Sequence, residues 1–230
     1  MKLTFKAALV SAIFTTAATS GVCANAATIT FDTTSCSNTI ATCDNGSSIN
    51  ADLGSISGLS AVTYTNPYVV LPNNLQYWGL GYSNLPSVAW GGVNASSTGM
   101  RVNISPLNGY YIKLVSFDLA AFPTGTDRNT TLAVNFGDGT TWSAFAALGL
   151  PLTISGVNFT HYDLASTFGN GNPSLNGFQI TWGNDGWNVG INNILYEVVD
   201  KNGNAVPLPG TLALILGGLV LVRVKRKTMI

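Results

Sequence analysis

The sequence predicts an all-β fold: one antiparallel β-sandwich, jelly-roll-like, between an N-terminal signal peptide and a C-terminal transmembrane helix. Three observations lead there. Short runs alternate apolar and polar residues and are punctuated by Gly, Pro, Asn and Asp, the pattern of half-buried strands joined by tight turns. No long stretch between the two ends has helical periodicity. The composition is 46% hydrophobic and only 9% charged, against about 25% charged in ordinary soluble domains. Asn, Thr, Ser and Gly must therefore supply the polar surface, which suits strands and turns better than exposed amphipathic helices.

Taken in order, Ala27 to Phe31 opens as a short strand and Ser60 to Thr65 alternates. Met100 to Ser105 and Tyr110 to Leu119 are separated by Pro106-Leu107-Asn108-Gly109, a turn of residues suited to the backbone it needs. Thr130 to Phe136 and Thr140 to Ala146 flank Gly137-Asp138-Gly139, the clearest hairpin signal in the chain. Leu152 to Ser155, Asn158 to Leu164, Gly177 to Trp182 and Asn192 to Val199 complete the set. The aromatic, Gly- and Asn-rich segment around Tyr77 to Trp90 reads as a loop between strands. Many short strands at regular spacing argue for a sandwich or jelly roll, with no repeat or linker to divide it.

The chain has 230 residues and a formal net charge of zero, but the charges are segregated. Lys2, Lys6, Arg223, Lys225, Arg226 and Lys227 lie at the ends. Between Ala27 and Asn204 stand four basic residues against ten acidic ones, a balance of −6. Such a surface repels phosphate backbones and argues against nucleic-acid binding. The single histidine, His161, excludes a multi-histidine metal site within one chain.

The ends carry targeting signals. Lys2 and Lys6, the apolar Ala7 to Ala18 and the Ala24-Asn25-Ala26 cleavage pattern make residues 1–26 a secretory signal peptide, with Ala27 first in the mature chain. Residues 27–204 form the expected ectodomain. Residues 205–230 begin with Val206-Pro207-Leu208-Pro209-Gly210, continue through the uncharged Thr211 to Val222, and close on the basic Arg223, Lys225, Arg226 and Lys227. The uncharged stretch is at the short end of what spans a bilayer, and the basic cluster belongs on the cytoplasmic side.

This C-terminal arrangement resembles the PEP-CTERM sorting signal of Gram-negative bacteria, in its V-P-L-P-A variant. Leu208 stands where the main class has Glu, and Gly210 where Ala is commoner. The resemblance implies an exosortase substrate that passes through the Sec export machinery, sits in the membrane by its C-terminal helix as a precursor, and reaches the cell surface or the extracellular polysaccharide. An uncleaved tail anchor is the plainer alternative. A second, shorter likeness lies in the ectodomain. Gly190-Ile191-Asn192-Asn193-Ile194 is similar to the Gly-Ile-Asp-Asn-Ile closing strand of jelly-roll ectodomains common in PEP-CTERM proteins, with Asn192 in place of Asp. Thr28-Ile29-Thr30-Phe31-Asp32 fits their first strand.

Four sets of residues are candidates for function or stability. Cys36 and Cys43 are the only mature cysteines, and in an oxidising compartment they are expected to pair. Jelly rolls similar to this one sometimes bind calcium where first and last strands meet, which would draw oxygen ligands from Asp32, Asp185 and Glu197. Tyr77, Trp78, Tyr82 and Trp90 could form a sugar-stacking platform for extracellular polysaccharide, and Trp182 and Trp187 flank Asn184-Asp185; the competing reading is ordinary core aromatics. Catalysis has the weakest signal. No G-x-S-x-G or C-x-x-C occurs, His161 and Asp163 could share a strand face without an identifiable serine, and paired carboxylates such as Asp118 and Asp138 could in principle serve a glycosidase. The expectation is a non-enzymatic, sorted surface or matrix protein with a structural or interaction role. A carbohydrate-binding module is the first alternative and a secreted hydrolase the second.

Overall fold

The computed structural model describes residues 26–36, 42–66, 75–91, 99–137, 142–164, 176–183 and 187–206, by the backbone alone over 142–151. Among the described residues eleven strands run in sequence: β1 (Ala26–Ile29), β2 (Ser60–Thr65), β3 (Gln76–Tyr82), β4 (Leu85–Trp90), β5 (Met100–Pro106), β6 (Tyr111–Ala121), β7 (Arg128–Gly137), β8 (Trp142–Ile154), β9 (Thr160–Asp163), β10 (Phe178–Gly183) and β11 (Val189–Val199). They form two antiparallel sheets. One has the order β3-β4-β11-β6-β9 with β1 also on β11; the other has the order β2-β5-β10-β7-β8. One buried cluster takes Phe117, Leu119, Ile191 and Tyr196 from the first sheet and Val102, Ile104, Val134, Ile180 and Trp182 from the second. The expected all-β sandwich is therefore present.

Local chemistry explains the boundaries. In β2 alternation buries Val62 and Tyr64 and leaves Thr63 exposed. The β5–β6 turn falls where the sequence puts it: Asn108 and Gly109 take φ values of 52° and 78°, and the Asn108 amide donates to the Gly58 carbonyl at 2.8 Å. The strand pair β7–β8 closes with Gly137 opposite Trp142; Asp138 and Gly139 lie outside the described residues. Leu152 to Ser155 is not a separate strand, as expected, but runs into the far end of β8. Two register shifts along the β7–β8 ladder absorb the irregularity and let one long strand continue.

The larger correction concerns Tyr77 to Trp90. The segment expected to be a loop is the hairpin β3–β4, turning at Ser83-Asn84 with Tyr82 opposite Leu85. Its alternation is interrupted by a bulge between Gly79 and Tyr82, where Leu80 and Gly81 take φ values of 71° and 89°. An interrupted period of two hides a strand from pattern reading.

Candidate functional site

The meeting of the first and last strands, where the sequence expected a site, is built around β11. Strand β6 pairs along one edge of β11 from Val189 to Val199. Strands β4 and β1 must share the other edge, β4 at Ile191 and β1 from Ile194 to Glu197. Between them the ladder changes partner. Asn192, 1% exposed, fills that gap. Its Oδ1 accepts from the Phe31 N–H at 2.9 Å and the Asn193 N–H at 2.7 Å, and its Nδ2 donates to the Ser87 carbonyl at 2.7 Å. The Ser87 hydroxyl also donates to the Phe31 carbonyl. A carboxamide offers both an acceptor and donors, so one side chain pairs groups on both flanking segments that would otherwise be buried unmet.

Of the expected calcium ligands, Asp32 and Glu197 each have partners of their own. Ala26 lies opposite Glu197, and Asp32 is six residues further along the chain, about 20 Å away if that chain is extended. The Asp32 carboxylate accepts from the Thr34 hydroxyl at 2.6 Å, the Thr34 N–H at 2.7 Å and the Ser35 hydroxyl at 3.2 Å. These bonds, the Thr34 hydroxyl first, hold its carboxyl below the usual carboxylate range. Glu197 is occupied by Lys113 directly across the ladder, at 3.0 Å. Asp185 lies outside the described residues, and among the described residues no group of three His, Cys, Asp or Glu could hold a metal ion.

Nor do the aromatics form an exposed platform. Tyr77, Tyr82 and Trp90 are 5%, 1% and 2% exposed, so none offers a free face to a sugar. Tyr82 and Trp90 join Leu85, Val88 and Ala120 in a second small core, with Trp78 and Phe122 packed against it. Leu119 and Ala121 belong to the main core, so Ala120 between them points to the opposite face of the first sheet. Trp78 meets Trp90 edge-on at 5.0 Å and Phe122 at 6.0 Å. The Tyr82 hydroxyl donates to the Trp187 carbonyl at 2.5 Å. Trp182 is fully buried, its indole N–H donating to the Val189 carbonyl at 2.9 Å, whereas Trp187 remains 45% exposed.

A cluster not anticipated lies on β6, β9 and β11. His161 stands opposite Asp118 in the β6–β9 ladder, and its Nδ1 meets Asp118 Oδ1 at 2.6 Å. The other carboxylate oxygen accepts from the Asn193 amide at 2.7 Å. Asn193 sits at the register shift of β11 with φ 50°, and the bulge is what turns its side chain toward Asp118. Asp118 is 3% exposed, while the imidazole side chain is 54% exposed. The carboxylate therefore orients a solvent-facing imidazole, which is the orienting part of a relay and performs no chemistry alone. The pairing is with Asp118, not with Asp163 as the sequence allowed; Asp138 lies outside the described residues.

Cys36 and Cys43 are joined, with Cα atoms 5.6 Å apart. At the other end of the fold, Ala205 bridges Val199 and the Val206 N–H donates to the Val198 carbonyl at 3.2 Å. Val206 is thus tied to β11, while Pro207, Leu208, Pro209, Gly210, Arg223, Lys225, Arg226 and Lys227 lie outside the described residues, as do the expected signal peptide up to Asn25 and the expected transmembrane helix. No protein-family model matches the chain, and no curated protein matches it.

Proposed function

We propose that the mature protein is an exported, exosortase-sorted surface or extracellular-matrix protein with a structural or interaction role rather than a catalytic one. The observation that carries this reading is where the first and last described residues lie. Ala26 pairs with Glu197, and Val206 is held by Val198. Both ends of the domain leave from one end of one strand. That geometry suits a precursor whose signal peptide and C-terminal span enter the same bilayer, with the sandwich outside. The Cys36–Cys43 disulfide supports an oxidising compartment, and the four-to-ten charge balance of the ectodomain suits solubility outside the cell without nucleic-acid contact.

The strand order supports a jelly-roll ectodomain of the kind the closing-strand likeness implies. From β4 onward the chain changes sheet at every strand except between β7 and β8, so that β4-β11-β6-β9 faces β5-β10-β7-β8, an eight-stranded double Greek key. Strands β3 and β2 extend its edges beside β4 and β5, and β1 shares one side of β11 with β4. The test is to express the full chain in a Gram-negative host that has an exosortase and in the same host lacking it. The expected result is release of the domain from the membrane fraction only where the exosortase is present. Equal partition in the two hosts would overturn the reading.

A further inference from the structure

Leu80 is the most exposed large apolar residue described, at 75%, and its φ is 71°. An L-residue is disfavoured in that left-handed region and a leucine side chain more than a glycine. Burial within this chain does not compensate for it. Strain kept without an internal return directs attention to what lies beside it.

Beside it is an open pocket of about 450 Å³ between the turn that follows Cys43 and the β3–β4 hairpin, lined by Thr33, Asp44, Asn45, Tyr77, Leu80 and Pro86 among others. Its volume is in the range of small-ligand sites, about 300–1,000 Å³. The walls are fixed before any ligand arrives. The disulfide ends at Cys43, next to Asp44. The Gly46 N–H donates to the Tyr77 carbonyl at 2.8 Å and the Tyr77 N–H to the Ser47 carbonyl at 2.7 Å. Asn45 Oδ1 accepts from the Gly79 N–H at 2.7 Å, which leaves both amide donors of Asn45 for other partners. At Gly79 a Cβ would come within 2.7 Å of the Tyr77 hydroxyl, so glycine is what lets the phenol reach across the hairpin.

We infer that this pocket binds a neutral sugar residue, with Leu80 and Pro86 against the apolar C–H face of the ring and Thr33, Asp44, Asn45 and the Tyr77 hydroxyl taking its hydroxyls. A sugar hydroxyl both donates and accepts, which matches a lining that mixes a carboxylate acceptor with amide and hydroxyl donors. The Asp44 carboxylate and the acidic balance of the domain disfavour uronates and phosphates, and among the described residues no basic side chain lines the pocket. A pre-formed site loses less freedom on binding. The inference rests on the interaction role proposed above but not on sorting; absence of sugar binding would remove this site and leave the exosortase experiment untouched.

The test is saturation-transfer NMR on the oxidised full chain, kept in a detergent without a sugar headgroup. The probes are glucose, galactose, mannose and their disaccharides, with glucuronate as the anionic control. At least one neutral probe is expected to receive saturation and glucuronate to receive less. Asp44→Ala is expected to weaken binding about tenfold or more. Leu80→Gly should weaken it similarly while leaving the melting temperature equal or higher, since glycine accepts a φ of 71°. No transfer to any neutral probe, equal transfer to glucuronate, or binding that survives both substitutions would overturn the inference.

Discussion

Replacing Asn192 by alanine should be among the most damaging single changes available outside the apolar core. The amide makes three hydrogen bonds, to Phe31, Asn193 and Ser87, at a position 1% exposed. Truncation leaves the Phe31 N–H and the Ser87 carbonyl buried without this partner. Each costs about 1–3 kcal/mol, so the pair amounts to about 4 kcal/mol. At about 2–4 °C per kcal/mol for a domain of this size, the melting temperature should fall by about 8–16 °C. Asn192→Asp, nearly isosteric, sharpens the test. It keeps the acceptor for Phe31 and Asn193 but sets a carboxylate against the Ser87 carbonyl. Ionisation is then disfavoured in the fold, so the carboxyl's folded-state affinity for protons rises. Stability should be greatest at low pH, where the protonated acid can donate to Ser87, and should fall as pH rises through the folded-state transition. Thermal denaturation followed by circular dichroism from pH 3 to 8 reads both variants. An alanine shift under about 3 °C, or an aspartate variant whose pH profile matches the parent, would refute the clasp.

Three further outcomes follow from the same geometry. Reducing Cys36–Cys43, or substituting both by serine, frees a loop with a sequence separation of 7 and should cost about 2.5 kcal/mol on the loop-entropy account, or about 5–10 °C of melting temperature by calorimetry; an unchanged transition would contradict it. Burial pushes the Tyr162 phenol up to about 12 and raises Tyr64 and Tyr196 as well. The neutral forms are therefore favoured in the fold, so stability present below pH 10 should be lost as pH rises toward 12. Tyr162→Phe should flatten part of that loss in an alkaline titration, and since the Tyr162 hydroxyl has no hydrogen-bond partner among the described residues, it should cost little at neutral pH. Calcium should leave the melting temperature within about 1 °C, because Glu197 is bound to Lys113 and Asp32 to Thr34 and Ser35; a rise with calcium that chelator reverses would restore a metal at this junction.

Strands with unbroken alternation were legible in the sequence. Ser60 to Thr65 and the Pro106–Gly109 turn match the structure, and Asn192 to Val199 recovers the body of β11. What hid the rest was interruption. In β6 the main core takes Ile112 and Leu114 and then Phe117 and Leu119, so alternation slips by one residue between them. That slip answers the irregularity of β11 between Asn192 and Tyr196. In β3 the Gly79–Tyr82 bulge broke the pattern, and aromatics that line a small second core looked like loop residues. The disulfide was legible because Cys36 and Cys43 are the only cysteines beyond the expected signal peptide. The Asp118–His161 contact was not, because 43 residues separate the partners and only strand pairing brings them together. The role of Asn192 was half visible: the closing-strand likeness drew attention to the position, but its partners Phe31 and Ser87 come from two other segments.

The most direct test of the whole account is the intact mass of the protein recovered from its native host, measured separately for membrane, surface and medium fractions. The account predicts a mature species outside the membrane that begins at Ala27 and ends near Pro207 to Pro209, with the Cys36–Cys43 bond formed. A membrane-bound species still carrying Arg223 to Ile230 as the only product would contradict sorting and leave a tail-anchored sandwich in its place.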